Sequence, residues 1–457
     1  MRKIDWKGRA VFMSVLSNFK PLVRSLAHRN FRLFVVGQGI SLIGTWMQQI
    51  AMAWLVYRLT NSAFLLGLVG FAGQIPTFFL APIAGVVSDR AKRRPLLLIT
   101  QSLAMLQAFL LSALTLTGLI SVWQLVLLSV VLGIVNTFDM TIRQSFMMEM
   151  VPDQKDLANA IALNSTLVNL TRLIGPSIAG LTIALTGEGI CFLLNGISYL
   201  AVLWALVAMK VPAAIKREHP HWVRGIMAGF VYTFGFAPVR ALILLLSVIG
   251  FMAAPYAVLL PVFASDVLHG NASTLGFLTA AAGVGALAGT IYLASREGLR
   301  GAGTLIAVCA AALGVALVMF ALSQNLAVTL AALFVIGFAQ MVLMAGSNTV
   351  LQTLVEEEMR GRVMSFYTLA LMGIAPLGGL LAGIMADYIG APKAVLLGAP
   401  FCLLGAAVFA RKLPYLREKA RAVMEIRRQN LAAIPMENAM EPLVSAQELD
   451  RLGAPQR

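Results

Sequence analysis

Twelve separate stretches of this chain stay apolar for about the 20 residues that a helix needs to cross a bilayer. They fall at roughly 33–57, 64–87, 96–117, 122–147, 158–185 and 190–209, and again at roughly 241–264, 275–295, 303–323, 326–350, 364–388 and 393–411. Inside hydrocarbon every backbone N–H and C=O must be satisfied internally, so such stretches become helices and not open strands. The expected fold is an all-α polytopic membrane protein with twelve transmembrane helices. Composition agrees: 12% of residues are charged, where a soluble chain carries about 25%.

A net charge of +15 would in a soluble chain point to nucleic acid. Here the distribution gives a different reading. An even number of crossings puts both termini on one side, and the segments on that side hold 30 of the 35 Lys and Arg. The opposite loops hold only Arg58 and Lys393. Basic loops stay cytoplasmic, facing anionic lipid, so the chain is expected in the cell inner membrane with both termini cytoplasmic and no nucleic-acid partner. Residues 1–32 form a cytoplasmic N-terminal segment and not a secretory signal, because Val11 to Phe19 is short and runs into Lys20 and Pro21. The longest internal polar stretch separates a first six-helix half, 33–210, from a second, 241–412. The linker 211–240 contains an amphipathic segment, Trp222 to Phe236, and 413–457 is a cytoplasmic tail. The halves echo each other: Leu66-Gly67 and Leu275-Gly276 match at an offset of 209, Gly133 and Gly337 at 204.

The loop between the second and third stretches reads Gly85-Val-Val-Ser-Asp89-Arg90-Ala-Lys92-Arg93-Arg94. It resembles the signature loop between helices 2 and 3 of the major facilitator superfamily of secondary transporters, with Lys92 where a glycine is usual. Asp89 and the arginines can form ion pairs that hold the cytoplasmic ends of the two halves together in one state and release them in another. The alternative is that the arginines only anchor topology. The fifth stretch contains Arg172-Leu-Ile-Gly175-Pro176-Ser-Ile-Ala-Gly180. Proline bends a helix and glycines open a flat packing face. This segment resembles the glycine–proline motif of antiporters in that superfamily. A packing kink without bearing on direction is the alternative.

Charge at membrane depth is costly and marks function. Arg172 is such a residue, and the hairpin of stretches four and five supplies an expected partner. Asp139 lies 15 residues before the turn near Gln154 and Arg172 lies 18 after it. At 1.5 Å per residue their depths differ by only about 4–5 Å. Arg143, one turn from Asp139, is a second partner. These three are the candidates for proton coupling, against the alternative of a static clamp. The resemblance further implies a broad apolar cavity, with Trp46, Gln48, Gln49, Phe251 and Tyr256 on helices that line it.

Longer segments narrow the family. Arg143-Gln-Ser-Phe146, Met150-Val-Pro152, Leu157-Ala-Asn159 through Ser165, Leu259-Leu-Pro261 and Arg360-Gly-Arg362-Val-Met-Ser365 are similar to the enterobactin-exporter-like and macrolide-efflux-like branch. That resemblance implies a monomeric exporter of a small amphipathic molecule, a siderophore or drug-like compound, working by proton antiport with alternating access. Lipid or lysophospholipid flipping, and a non-transporting sensor or scaffold, are the alternatives. An enzyme is not expected: Cys191, Cys309 and Cys402 are isolated in apolar runs, and the four histidines are scattered. No metal site, cofactor or Gly-x-x-x-x-Gly-Lys-Ser/Thr nucleotide loop is found in the sequence.

Overall fold

The computed structural model describes residues 24–151, 153–209, 222–253, 255–296 and 301–432. Most of the expected N-terminal segment, the first part of the linker and the end of the tail lie outside them. Among the described residues there are helices and no strands, and twelve helical stretches are long and apolar enough to cross a membrane. The first six are α1 (Arg29–Thr60), α2 (Ala63–Arg90), α3 (Arg93–Leu116), α4 (Val122–Met150), α5 (Gln154–Thr186) and α6 (Glu188–Ala208). A linker helix, α7 (Trp222–Gly235), follows. The seventh crossing is assembled from α8 (Ala237–Met252), α9 (Tyr256–Val262) and a π-helical turn, Phe263–Val267. Next come α10 (Ala272–Ala294), α11 (Ala302–Leu322) and α12 (Leu326–Leu354). The eleventh crossing joins α13 (Glu357–Thr368), a π turn at Leu369–Gly373 and α14 (Ala375–Ile389), and α15 (Ala391–Ala432) closes the chain.

Local chemistry sets the ends. Ser62, Asp153, Asn271 and Asn325 each precede a helix and accept hydrogen bonds from its first-turn N–H groups. Gly187 and Gly390, at φ 85° and 87°, turn the chain after the fifth and eleventh crossings, where an L side chain would be strained. The last helix runs 42 residues, far beyond bilayer thickness, because Arg411, Lys412, Arg417 and Lys419 let it continue into water. The turn Arg24–Ala27 is tied to the start of α5: Arg24 Nε donates to Asp156 at 2.5 Å, and Ser25 donates from its N–H and hydroxyl to Asn159.

Each half has its own interior. In the first, α1 packs on α5 and α6, α2 on α4, and α3 on α4 and α6; in the second, α10 packs on α12, and α11 on α12 and α15. The residues that match between halves make equivalent contacts. A Cβ on Gly133 would stand 2.3 Å from the Gly73 carbonyl, and one on Gly337 would stand 1.9 Å from that of Ala282. Only glycine permits such approaches.

The halves meet along two seams, α2 with α14 and α5 with α10. Gly67 and Gly276 again do equivalent work, their would-be Cβ atoms each 2.9 Å from a backbone carbonyl across the seam, of Gly379 and Pro176. Hydrogen bonds between the halves cluster on the side opposite the termini, here called the far side. Tyr57 Oη donates to Asp266 at 2.5 Å, while Ser62 Oγ and the Ala63 N–H both donate to Asp387 at 2.7 Å. On the basic side, no described residue of another helix lies within 4 Å of a Cβ built on Gly85 of α2 or Gly361 of α13. The molecule is therefore sealed at its far end.

Candidate functional site

Asp139 is only 5% exposed, inside the first half. Thr100 Oγ1 and Gln101 Nε2, both on α3, donate to its Oδ1 at 3.0 and 2.6 Å. Arg143 Nη2 lies 3.2 Å from its Oδ2, one turn along α4. A buried carboxylate is tolerable only with such donors, each contributing about 1.5–3 kcal/mol. Beside it is a small cavity of about 40 Å3, bordered by Gln38, Ser41, Thr45, Asn136 and Tyr199. That space exceeds the roughly 10–15 Å3 needed to hold a water, and its walls are polar enough to bind one. The Gln101 side-chain carbonyl, buried and without a partner among the described residues, adds an acceptor at the same place. Deeper in the same half, Asn195 donates to Gln48 at 2.8 Å and Gln48 donates to Gln107 at 3.0 Å. A file of polar groups thus occupies the interior of the first half.

The expected Asp139–Arg172 pair does not form. Helical rise fixes height along the hairpin and says nothing of azimuth. Asp139 faces α3, whereas the Arg172 guanidinium sits over the ring of Trp46 on α1, 5.7 Å from its centroid. Among the described residues no carboxylate lies within ion-pair distance of Arg172.

The cavity residues separate in the same way. Gln49 is exposed and Trp46 half-buried, but Gln48 is buried in the network just described and does not reach the space between the halves. Neighbours on a helix point 100° apart, so Gln48 and Gln49 cannot share a face. Tyr256 is buried edge-on against Phe320. Phe251 is half-buried, its backbone carbonyl close against Gly378 of α14.

In the basic loop, Arg93 forms an ion pair with Glu149 of α4, and Arg94 donates to the Leu206 and Val207 carbonyls at the end of α6, each at 2.7 Å. Both arginines therefore bind within their own half and not across to the other. Gly85 lies on α2, and Asp89 and Arg90 end that helix, their side chains outside the described set. On α5, Gly175 abuts Trp46 and Ile43 of α1, while Gly180 abuts Ala272 and Gly276 of α10. Pro176 stands between them. The Ser273 hydroxyl also donates to the Gly180 carbonyl, at 3.3 Å.

Sequence reasoning missed the far-side latch. Neither Asp266 nor Asp387 is among the residues singled out from the sequence, yet both accept hydrogen bonds from the opposite half. Nothing in the sequence pairs them: Tyr57 and Asp266 lie 209 residues apart, and the repeat offset marks equivalent positions, which need not touch.

No cluster able to hold a metal ion is found among the described residues. Residues 17–445 match the transmembrane secretion effector family. The chain is 27% identical to the staphyloferrin A transporter of Staphylococcus aureus, over 76% of this chain and 87% of that protein. It is 28% identical to the multidrug efflux pump Tap of Mycolicibacterium fortuitum (82% and 93%), and 25% identical to the enterobactin exporter EntS of Shigella boydii (77% and 85%). A bacterial homologue of the human lysosomal transporter Spinster, solved in an inward-facing and unoccupied conformation, shares the fold with a TM-score of 0.63. It is 15% identical, over 87% of this chain and 98% of that one. These are transporters and not enzymes. This chain is a multi-pass membrane protein that belongs to the transmembrane secretion effector family of the major facilitator superfamily.

Proposed function

We propose that the protein exports a small amphipathic molecule, siderophore or drug-like, across the inner membrane by proton antiport with alternating access. The basic side is then the cytoplasm, and the sealed far side gives the state that takes substrate from inside. The observation that carries the reading is Asp139: a carboxylate at membrane depth, bound by three donors beside a polar cavity, and separate from the space between the halves. A proton arriving there neutralises the Asp139 carboxylate and leaves the half-buried Arg143 guanidinium without its counter-charge, a change large enough to bias one packing of α3 and α4 over another. The efflux proteins among its relatives support the direction of transport. Asp89 and Arg90 are the basic-side gate in this scheme; Gly175 seats α5 on α1, and Pro176 and Gly180 form the tight seam with α10 that keeps protons from leaking when no substrate moves.

Purified protein in liposomes tests this. Substrate addition should release protons from wild type, and Asp139→Asn should abolish uphill transport while remaining in the membrane. Undiminished proton-driven transport in Asp139→Asn removes that residue from the mechanism.

A further inference from the structure

Arg172 stands 18 residues after the start of α5 and 14 before its end, near the middle of the crossing. At about 100° per residue, Gly175 lies about 60° to one side of Arg172, and Pro176 and Gly180 lie about 40° and 80° to the other. Gly175 packs on α1, while the Pro176 carbonyl and Gly180 pack on α10. Arg172 therefore points into the angle between a helix of the first half and a helix of the second. Ser165, exposed, and Asn169, half-buried, continue the same face toward the basic side. Beyond Arg172 toward the far side, the Gly180–Gly276 contact and the Tyr57–Asp266 bond close the way.

We propose that Arg172, seated on Trp46, is the subsite that receives an oxyanion head group, so that the exported molecule is an amphipathic organic acid. The assignment rests on the export reading and narrows it to a substrate class. A guanidinium at this depth is costly to leave without a counter-ion, and among the described residues none is supplied by the protein. The Trp46 ring seats the guanidinium at 5.7 Å from its centroid, and a guanidinium can give a forked pair of hydrogen bonds to a carboxylate or phosphate. Away from bulk water that attraction is strengthened, and a cationic head is repelled. The same indole offers an apolar surface to the body of the ligand.

Three probes sharing one dansyl-aminoalkyl body test this: the carboxylic acid, its primary amide and the matching phosphate monoester. Binding is measured to the full chain in nanodiscs of neutral lipid, and uptake is measured in everted vesicles. Wild type should bind the acid at least tenfold more tightly than the amide. Arg172→Gln should erase that difference while leaving amide binding in place, and Arg172→Lys, which keeps the charge without the fork, should retain part of it. Preference for the acid over the phosphate names a carboxylate substrate, and the reverse names a phosphate head such as a lipid's. Equal binding of acid and amide by wild type, failure to bind the acid, or an acid preference that survives in Arg172→Gln overturns the subsite. If acid binds through Arg172 but no vesicle takes it up, the export reading fails and the subsite stands. If acid and amide are taken up alike and Arg172→Gln changes nothing, the subsite fails and export stands.

Discussion

Replacing Tyr57 with phenylalanine removes one oxygen atom from the far-side seal and little else. Tyr57 is 5% exposed, and its ring packs the same way without the hydroxyl. What is lost is a hydrogen bond of 2.5 Å to the Asp266 carboxylate, which joins the two halves. Hydrogen bonds to charged groups contribute about 1.5–3 kcal/mol. If the bond exists only while the far side is closed, its loss shifts the balance toward the far-side-open state by roughly 10- to 150-fold. The two hydrogen bonds to Asp387 remain, so the seal is weakened and not abolished. The assay is labelling of Gln49→Cys, at an exposed position on α1, by a membrane-impermeant maleimide added from the far side. The native cysteines are buried and give a low background. In Tyr57→Phe the labelling rate should rise by about tenfold or more, and Asp266→Asn should move it in the same direction. Unchanged labelling in both variants would show that the latch does not distinguish the two states.

Gly180→Leu should loosen coupling, because even a Cβ there lies 3.0 Å from the Ala272 carbonyl and from the Gly276 Cα. Proton flux without substrate should rise and accumulation against a gradient should fall; parallel loss of both fluxes would reduce Gly180 to a packing residue. Asp89→Asn should weaken closure of the basic side, so labelling of a cleft cysteine from that side should rise. Unchanged labelling with normal transport would make Asp89 a marker of topology alone.

The twelve crossings were legible because apolar length is a property of composition, and composition survives without knowledge of packing. The interruptions were not. An apolar run from 241 to 264 says nothing about whether its helix is continuous, and the break before Tyr256 and the π turn at Phe263–Val267 appear only in the structure. Asp139 and Arg172 stood out as charges at depth, yet their pairing could not be inferred from height, since azimuth decides which neighbour each side chain meets. The same reason separates Gln48 from Gln49. The repeat carried more than it first promised. The matched glycines mark places where backbones touch. The latch had no signal of its own, because the partners of Asp266 and Asp387 lie 209, 325 and 324 residues away along the chain.

The central claim is that Asp139 couples export to the proton gradient. Everted vesicles with an acidic lumen, containing wild type or Asp139→Asn at equal abundance, measure it directly. The reporter is the dansyl acid or its amide, whichever wild type moves. Wild type should accumulate the probe, release protons from the lumen as it does so, and lose the accumulation when the pH gradient is collapsed. Asp139→Asn should still equilibrate the probe downhill but show no gradient-driven accumulation and no probe-dependent proton movement. Accumulation by Asp139→Asn at the wild-type level, still abolished by collapsing the gradient, would contradict the account, because the proton would then be carried by another residue.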